Sequence, residues 1–223
     1  MTDTPSAGTG AQPDTTGVTW WGRASRFEKG IYVNIWRWIR HRPDEGPSGS
    51  LPFSYVEIVR TTIYLWIGAS ALEMVAVHFI VPWPWVRWPL LIVSLWGLIW
   101  MFGFLAGQIV YPHLVEPERL RVRNGHTVDA VVPISAIDSV RTMVRSRPSS
   151  KTITLDEKDP THLYIAVSGQ VNIHVTLLQP IAVDLPRGRY TITTLSFWAD
   201  EPGPALARLR TLINDPESAR GQG

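Results

Sequence analysis

Two ionisable side chains interrupt a long apolar stretch of this chain, a setting in which a charged group is costly and often functional. Glu73 and His78 lie within the run IVRTTIYLWIGASALEMVAVHFIV at residues 58–81. A carboxyl group there is typical of a hydrogen bond between helices, of oligomerisation or partner recognition, or of proton and ion handling. We favour the hydrogen bond between helices and keep the other roles as alternatives.

Glu73 has candidate partners on the next apolar stretch. Folding the chain about residue 84 brings Glu73 level with Leu95, so the Ser94 hydroxyl and the Trp96 indole N–H lie at a similar depth. His78 follows Glu73 by five residues, about 140° round a helix, so the two side chains do not share a face. This spacing does not suit a metal pair, and no third ligand accompanies it. We therefore expect no metal and no cofactor.

The sequence lacks the motifs of common enzyme classes. It contains no P-loop, no glycine-rich dinucleotide motif, no zinc-protease motif and no nucleophile elbow. The absence of cysteine excludes disulfides and thiolate chemistry. Net charge is +2, and residues 113–223 carry thirteen Lys/Arg against twelve Asp/Glu, which is no footprint for nucleic acid. We expect a non-enzymatic protein that does not bind nucleic acid.

Two apolar stretches, residues 58–81 and 88–111, predict a helical hairpin in a membrane. Each exceeds the roughly 20 residues that cross a bilayer as a helix. The turn at 82–87 is flanked by tryptophan, which favours the headgroup region. Six Lys/Arg precede the first span, Arg60 lies near its start and one lies in the turn. This bias predicts a multi-pass protein of the cell (plasma) membrane, an inner-membrane protein with an extracytoplasmic turn and both termini cytoplasmic.

Residues 20–42 predict an amphipathic helix on an anionic membrane surface. An apolar stripe recurs every fourth residue between basic flanks. The residues expected to meet the membrane are Trp20, Trp21, Arg23, Arg26, Phe27, Lys29, Ile31, Ile35, Trp36, Arg37, Trp38, Ile39 and Arg40. The alternative is an ordinary amphipathic helix that packs on its own protein.

Gly103 and Gly107 form a G-x-x-x-G pattern on the second span, which lets another helix approach closely. Gly68 offers a small surface on the first span but is level with Trp100 rather than Gly103. Packing within the chain and dimerisation are equally open interpretations. The expected partners are the lipid bilayer and either an unidentified membrane protein or a second copy of the chain.

The remaining segments divide into tails, a linker and one domain. Residues 1–19 and 218–223 predict disordered tails, and 43–57, rich in Pro, Gly and Ser, predicts a linker. Residues 113–217 predict six or seven short, mostly antiparallel strands, with a hairpin turn at Asn124-Gly125. A stripe at Leu206, Leu209 and Leu212 predicts a closing C-terminal helix. The fold class is thus an α+β membrane protein.

The order of elements resembles a bacterial pleckstrin-homology-like domain attached to a membrane hairpin. The resemblance is carried by LRVRNG at 120–125, VPISAIDSV at 132–140 and FWADEPGPALARL at 197–209. The whole chain is similar to actinobacterial two-pass membrane proteins, through its Trp/Arg-rich start, its Pro52-Phe53-x-Tyr55 entry, the Glu and His of the first span and the Pro112-His113 pair. That resemblance implies a pleckstrin-homology-like cytoplasmic domain and brings no established activity.

We expect a non-catalytic membrane-tethered adaptor or scaffold that works through its cytoplasmic domain. The alternative is an accessory subunit of a transporter or envelope enzyme, with Glu73 in a polar or proton path.

Overall fold

The computed structural model describes residues 20–146, 151–186 and 188–215, with side chains from residue 30 onward. The tails predicted at 1–19 and 218–223 lie outside this range. The described chain forms four helices and nine strands: α1 (Trp20–Ile39), β1 (Leu51–Phe53), α2 (Glu57–Ile80), α3 (Pro84–Val110), β2 (His113–Val115), β3 (Arg119–Asn124), β4 (Val128–Pro133), β5 (Ile137–Ser146), β6 (Ile153–Leu155), β7 (His162–Ile165), β8 (Gln170–Leu185), β9 (Gly188–Phe197) and α4 (Pro202–Asn214).

Helices α2 and α3 form the expected hairpin. Among the described residues they are the two helices long and apolar enough to cross a membrane, with mean hydropathies of 1.6 and 2.1. Helix α3 begins at Pro84, four residues before the predicted start at residue 88. The reason is that proline suits the first turn of a helix, where its missing N–H leaves no bond unmade. The connection therefore shortens to Val81–Trp83.

A four-stranded sheet, in the order β1-β2-β3-β4, begins beside the hairpin. Strand β1 lies in the segment predicted as a linker, and it pairs antiparallel with β2. The chain enters α2 and leaves α3 at the same end of the hairpin, so the two flanking segments are close enough to pair. Beyond β2, the Asn124-Gly125 hairpin forms as predicted, with Gly125 at a φ of 57°.

The second sheet has the order β5-β8-β9-β7-β6. It is mostly antiparallel, as expected, but β7 and β9 run parallel. Strand β8 is continuous through Pro180, because a shift in its pairing with β9 between Thr176 and Ile181 accommodates this residue, which has no N–H to donate. The short strand β6 forms the edge of this sheet beside β7. The domain thus contains more strands than the pattern indicated.

Helix α4 covers the core between the two sheets. It packs against β5 and against β1 and β2, so one helix contacts both sheets. The predicted stripe faces inward, and Leu209 is fully buried. Phe53 from β1 joins the same core, next to Phe197. The core therefore includes residues that precede the hairpin as well as residues that follow it.

The domain is bonded directly to the hairpin. His113 is buried, accepts a hydrogen bond from the Arg123 backbone N–H and contacts the Trp198 carbonyl at 2.9 Å, so its ring is neutral and protonated on Nε2. The Tyr55 hydroxyl donates to the Tyr111 carbonyl and accepts from the Gly125 N–H. Tyr55 also stacks on His113, with ring centroids 4.4 Å apart.

A second bond joins the domain to the start of α2. The Asp200 carboxylate accepts from the Glu57 backbone N–H at 3.0 Å, one of the N–H groups that a helix start leaves without a partner. Only Tyr111 and Pro112 separate α3 from β2. The domain is therefore bonded to the hairpin both at the start of α2 and just after the end of α3.

Replacing Leu209 with alanine should lower the free energy of unfolding of the domain by about 2–5 kcal/mol, because it removes a fully buried side chain and leaves a cavity. Thermal unfolding of the full chain in detergent would measure the loss. Leu178→Ala is the matched control, since Leu178 is 64% exposed. Equal effects of the two substitutions would contradict the role of α4 in the core.

Candidate functional site

A groove of about 500 Å³ between α2 and α3 contains the predicted polar residues Glu73 and Ser94. Ser70, Gly97 and the ring of Trp96 lie in the same groove. The sequence placed Glu73 level with Ser94 and Trp96, and the structure brings all three to one surface. A large share of the Glu73 side chain is exposed on this surface.

Glu73 has no partner in its own chain among the described residues. Neither Ser94 nor Trp96 hydrogen bonds to it, and the Ser70 hydroxyl instead contacts Met101 Sδ at 3.7 Å. The carboxyl is therefore available at the surface of the hairpin rather than linking its two helices. The structure does not show the internal hydrogen bond that the sequence favoured.

His78 lies in a different groove. Its surroundings are apolar, and its ring meets that of Phe79 edge-on at 5.3 Å. Glu73 and His78 thus share no site, in keeping with their predicted angular separation on the helix. No group of three His, Asp or Glu side chains that could hold a metal occurs in the described part of the chain.

The two glycines of the G-x-x-x-G pattern face α1 rather than α2. A Cβ built on Gly103 would collide with Ile31, and one on Gly107 would lie 2.6 Å from Asn34 Nδ2. The Arg37 guanidinium meets the Tyr111 hydroxyl at 3.4 Å. Residues further along α1 contact residues further along α3, so the two helices run in the same direction here. Absence of side chains at Gly103 and Gly107 lets α1 approach this closely.

Helix α1 divides its apolar residues between two faces. Ile31 is buried against α3 and Ile35 is half-buried, whereas Trp36 and Ile39 are more than half exposed. Arg40 lies over the Trp36 ring at 4.0 Å. Some of the residues predicted to face the membrane therefore pack on the protein instead. Trp38, like Trp36 and Ile39, is exposed. The side chains of Trp20, Trp21, Arg23, Arg26, Phe27 and Lys29 lie outside the described residues.

A row of polar side chains crosses all five strands of the second sheet. Pairing places Arg141 beside His174, His174 beside Ser196, Ser196 beside Tyr164, and Tyr164 beside Thr154. The opposite face of the sheet carries the apolar core. Although this row is polar, His174, Ser196 and Tyr164 are buried.

Hydrogen bonds link Tyr164, Ser196 and His174 of this row, together with His162 and Asp156, into one directed chain. The Tyr164 hydroxyl donates to the Asp156 carboxylate at 3.1 Å, so it accepts from His162 Nδ1–H at 3.3 Å. His162 Nε2 then accepts from the Ser196 hydroxyl at 2.7 Å, and Ser196 accepts from His174 Nδ1–H at 2.6 Å. The carboxylate thus fixes the tautomer of both histidines.

The chain of bonds ends at an atom without a partner. His174 Nε2 is buried and makes no hydrogen bond, and in the assigned tautomer it is an acceptor. Burial lowers the pKa of His162 to about 4, with a contribution from His174 nearby. Burial also lowers the pKa of His174, helped by Arg141 and Arg145. Both rings are neutral at pH 7.

The sequence interpretation did not find this network. His162 and His174 are twelve positions apart and Ser196 lies further along the chain, so no local pattern joins them. A signal was present: His162 and Tyr164 alternate with apolar residues in HLYI, as do Asn172 and His174 in NIHV. Only the strand pairing brings these polar positions together.

The chain matches no family model, no curated protein and no solved structure in the three comparisons made.

The approach of α1 to α3 predicts a disulfide. The Cβ position built at Gly107 lies 3.9 Å from the Cβ of Asn34, within the range that disulfides need. Asn34→Cys with Gly107→Cys in this cysteine-free chain should therefore crosslink within one molecule on mild oxidation of membranes, seen as a shift in gel mobility. Asn34→Cys with Gly97→Cys is the control and should not crosslink. Equal crosslinking of both pairs would contradict the packing of α1.

The buried histidines predict a loss of stability in acid. Burial lowers the pKa of His113 to about 3 and that of His162 to about 4, against about 6.5 in the unfolded chain. The unfolded state therefore binds more protons below pH 6.5, and stability should fall from pH 6.5 to about 4, by up to about 1.4 kcal/mol per pH unit for each histidine. Thermal unfolding in detergent between pH 7.5 and 4.5 measures this.

Replacing His162 with glutamine removes one of these titrating groups, so the variant should lose less stability per pH unit. His41→Gln is the control, because His41 is exposed. An unchanged pH dependence in the His162 variant would refute the assignment.

Proposed function

We propose that the protein is a non-catalytic integral membrane protein that holds a cytoplasmic domain against the bilayer as an adaptor or scaffold. In this proposal α2 and α3 span the membrane, the turn before Pro84 is extracytoplasmic and both termini are cytoplasmic. The excess of Lys/Arg before α2 supports this orientation. The exposed face of α1, with Trp36 and Ile39, would lie at the membrane surface.

The direct bonding of domain to hairpin carries the adaptor proposal. Asp200 binds the start of α2, and Tyr55 and His113 bind the end of α3 to the β3–β4 turn and to β9. A domain held in this way keeps one orientation relative to the spans. Such an arrangement suits a platform that presents one surface to a cytoplasmic partner.

We further propose that the β domain is a variant of the pleckstrin-homology-like fold. Two sheets with a C-terminal helix that contacts both support this proposal. The parallel pairing of β7 with β9 departs from an all-antiparallel barrel.

A second candidate function is that of an accessory subunit of a membrane transporter or envelope enzyme. The observation that favours it is the exposed carboxyl of Glu73, which has no partner within the described hairpin. An unpaired carboxyl in a bilayer is costly, so a second membrane protein would stabilise it.

Cysteine labelling tests the orientation. Single cysteines at Ser6 and Ser218 should resist a membrane-impermeant maleimide in intact cells, whereas Trp85→Cys should react, since positive flanks stay cytoplasmic. Labelling of either terminus in intact cells would contradict this orientation.

Crosslinking in native membranes followed by purification separates the two functions. A stoichiometric multi-pass partner supports the accessory subunit. Capture of a cytoplasmic protein that is lost on Tyr55→Phe with Asp200→Ala, substitutions that loosen the domain from the hairpin, supports the adaptor.

A further inference from the structure

We propose that the groove between α2 and α3 binds a transmembrane helix of a partner protein through a Lys or Arg side chain at the depth of Glu73. This inference rests on the membrane insertion proposed above. It assigns the chemistry of the partner, which the adaptor and subunit functions leave open.

The charge of the groove is not balanced by any described side chain of the protein. Glu73 makes no ion pair with a described residue, and no basic residue lines the groove. Arg60 on α2 lies thirteen residues before Glu73, about 20 Å along the helix, and Arg87 lies in the first turn of α3. No described side chain therefore supplies a cation at the depth of Glu73, and we assign the pairing cation to another molecule.

The walls of the groove suit a cation as well. The indole rings of Trp96 and Trp100 border it, with centroids 5.9 Å apart and planes at 54°. Tryptophan faces attract ammonium and guanidinium groups, most strongly where water is excluded. A carboxylate beside two indole rings thus favours a basic side chain over a neutral one.

The shape of the groove admits a helix. Ser70, Ser94 and Gly97 keep its floor low, and a Cβ built on Gly97 would meet no atom within 4 Å. Small residues at a helix surface let a second backbone approach closely. The volume of about 500 Å³ accommodates a long side chain from that helix.

Other occupants fit less well. A second copy of this chain would bring another Glu73 and, among its described side chains, no basic residue that lines the groove. A bare metal ion would find one carboxylate where hard cations take several oxygen ligands. A basic side chain on a partner helix satisfies both the charge and the shape.

A binding experiment in lipid vesicles tests the proposal with the full-length protein. The probe is a polyleucine transmembrane peptide with a single lysine placed at the depth of Glu73, and association is measured by energy transfer between fluorophores. The reference peptide has leucine in place of the lysine. We expect the lysine peptide to bind at least tenfold more tightly than the leucine peptide.

Substitutions in the protein locate the binding site. Glu73→Gln should abolish most of the tenfold preference while preserving shape, and Gly97→Leu should block binding by filling the groove. Two controls should bind as the unmodified protein does. Glu57→Gln removes a carboxylate at the start of α2, and Gly68→Leu adds the same bulk where a Cβ meets no atom within 4 Å, outside the groove.

Three outcomes would overturn the proposal. They are equal binding of the two peptides, a Glu73→Gln variant that keeps the lysine preference, and self-association through Glu73 in the absence of peptide. The cysteine labelling described above reports insertion separately. Correct topology together with failed lysine recognition would refute this inference alone.

Discussion

The neutral ring of His113 is the contact on which the arrangement of hairpin and domain depends. It lies three residues after α3 and is enclosed by the rings of Tyr55, Phe53 and Phe197. One nitrogen bonds to the end of β9 and the other to β3. The bond from the Arg123 N–H requires the uncharged ring, because Nδ1 must accept it, and burial holds the pKa of His113 near 3. The junction thus joins the segment before the hairpin to the domain that follows it.

Helix α1 reaches this junction because two glycines of α3 have no side chains to block its approach. Gly103 and Gly107 leave space on α3, Ile31 and Asn34 occupy it, and Asn34 Nδ2 contacts His126 of the β3–β4 turn at 3.2 Å. The turn itself is bonded to Tyr55 through Gly125. Consequently α1, α3 and the domain meet at one place, and a change at any of the three contacts bears on the other two.

The histidine network of the second sheet and the Glu73 carboxyl of α2 have different surroundings. The network of His162, Ser196 and His174 is enclosed by the domain and its protons are arranged by Asp156, so it contributes to a fixed interior. Glu73 has neither enclosure nor partner within the described chain. The first feature is therefore complete among the described residues of the domain except at His174 Nε2, whereas the second has no partner among the described residues.

The sequence alone determined the elements whose signals are local. Apolar length predicted both long helices, Asn124-Gly125 predicted its hairpin because glycine adopts a positive φ readily, and the spacing of Leu206 and Leu209 predicted the buried face of α4. Reflection about the turn also placed Glu73 level with Ser94, since helical rise fixes depth. Each of these follows from residues close together in the chain or from one simple geometric rule.

Tertiary structure decided which surfaces meet. The pattern of Gly103 and Gly107 indicated close packing but not that α1 would occupy it, because a small residue accepts any helix that fits. The pairing of β1 with β2 arose from the proximity of the two ends of the hairpin, and the row through His174 and Ser196 arose from strand register. These contacts join residues twenty to more than seventy positions apart, and their energy depends on distances and angles that no local pattern encodes.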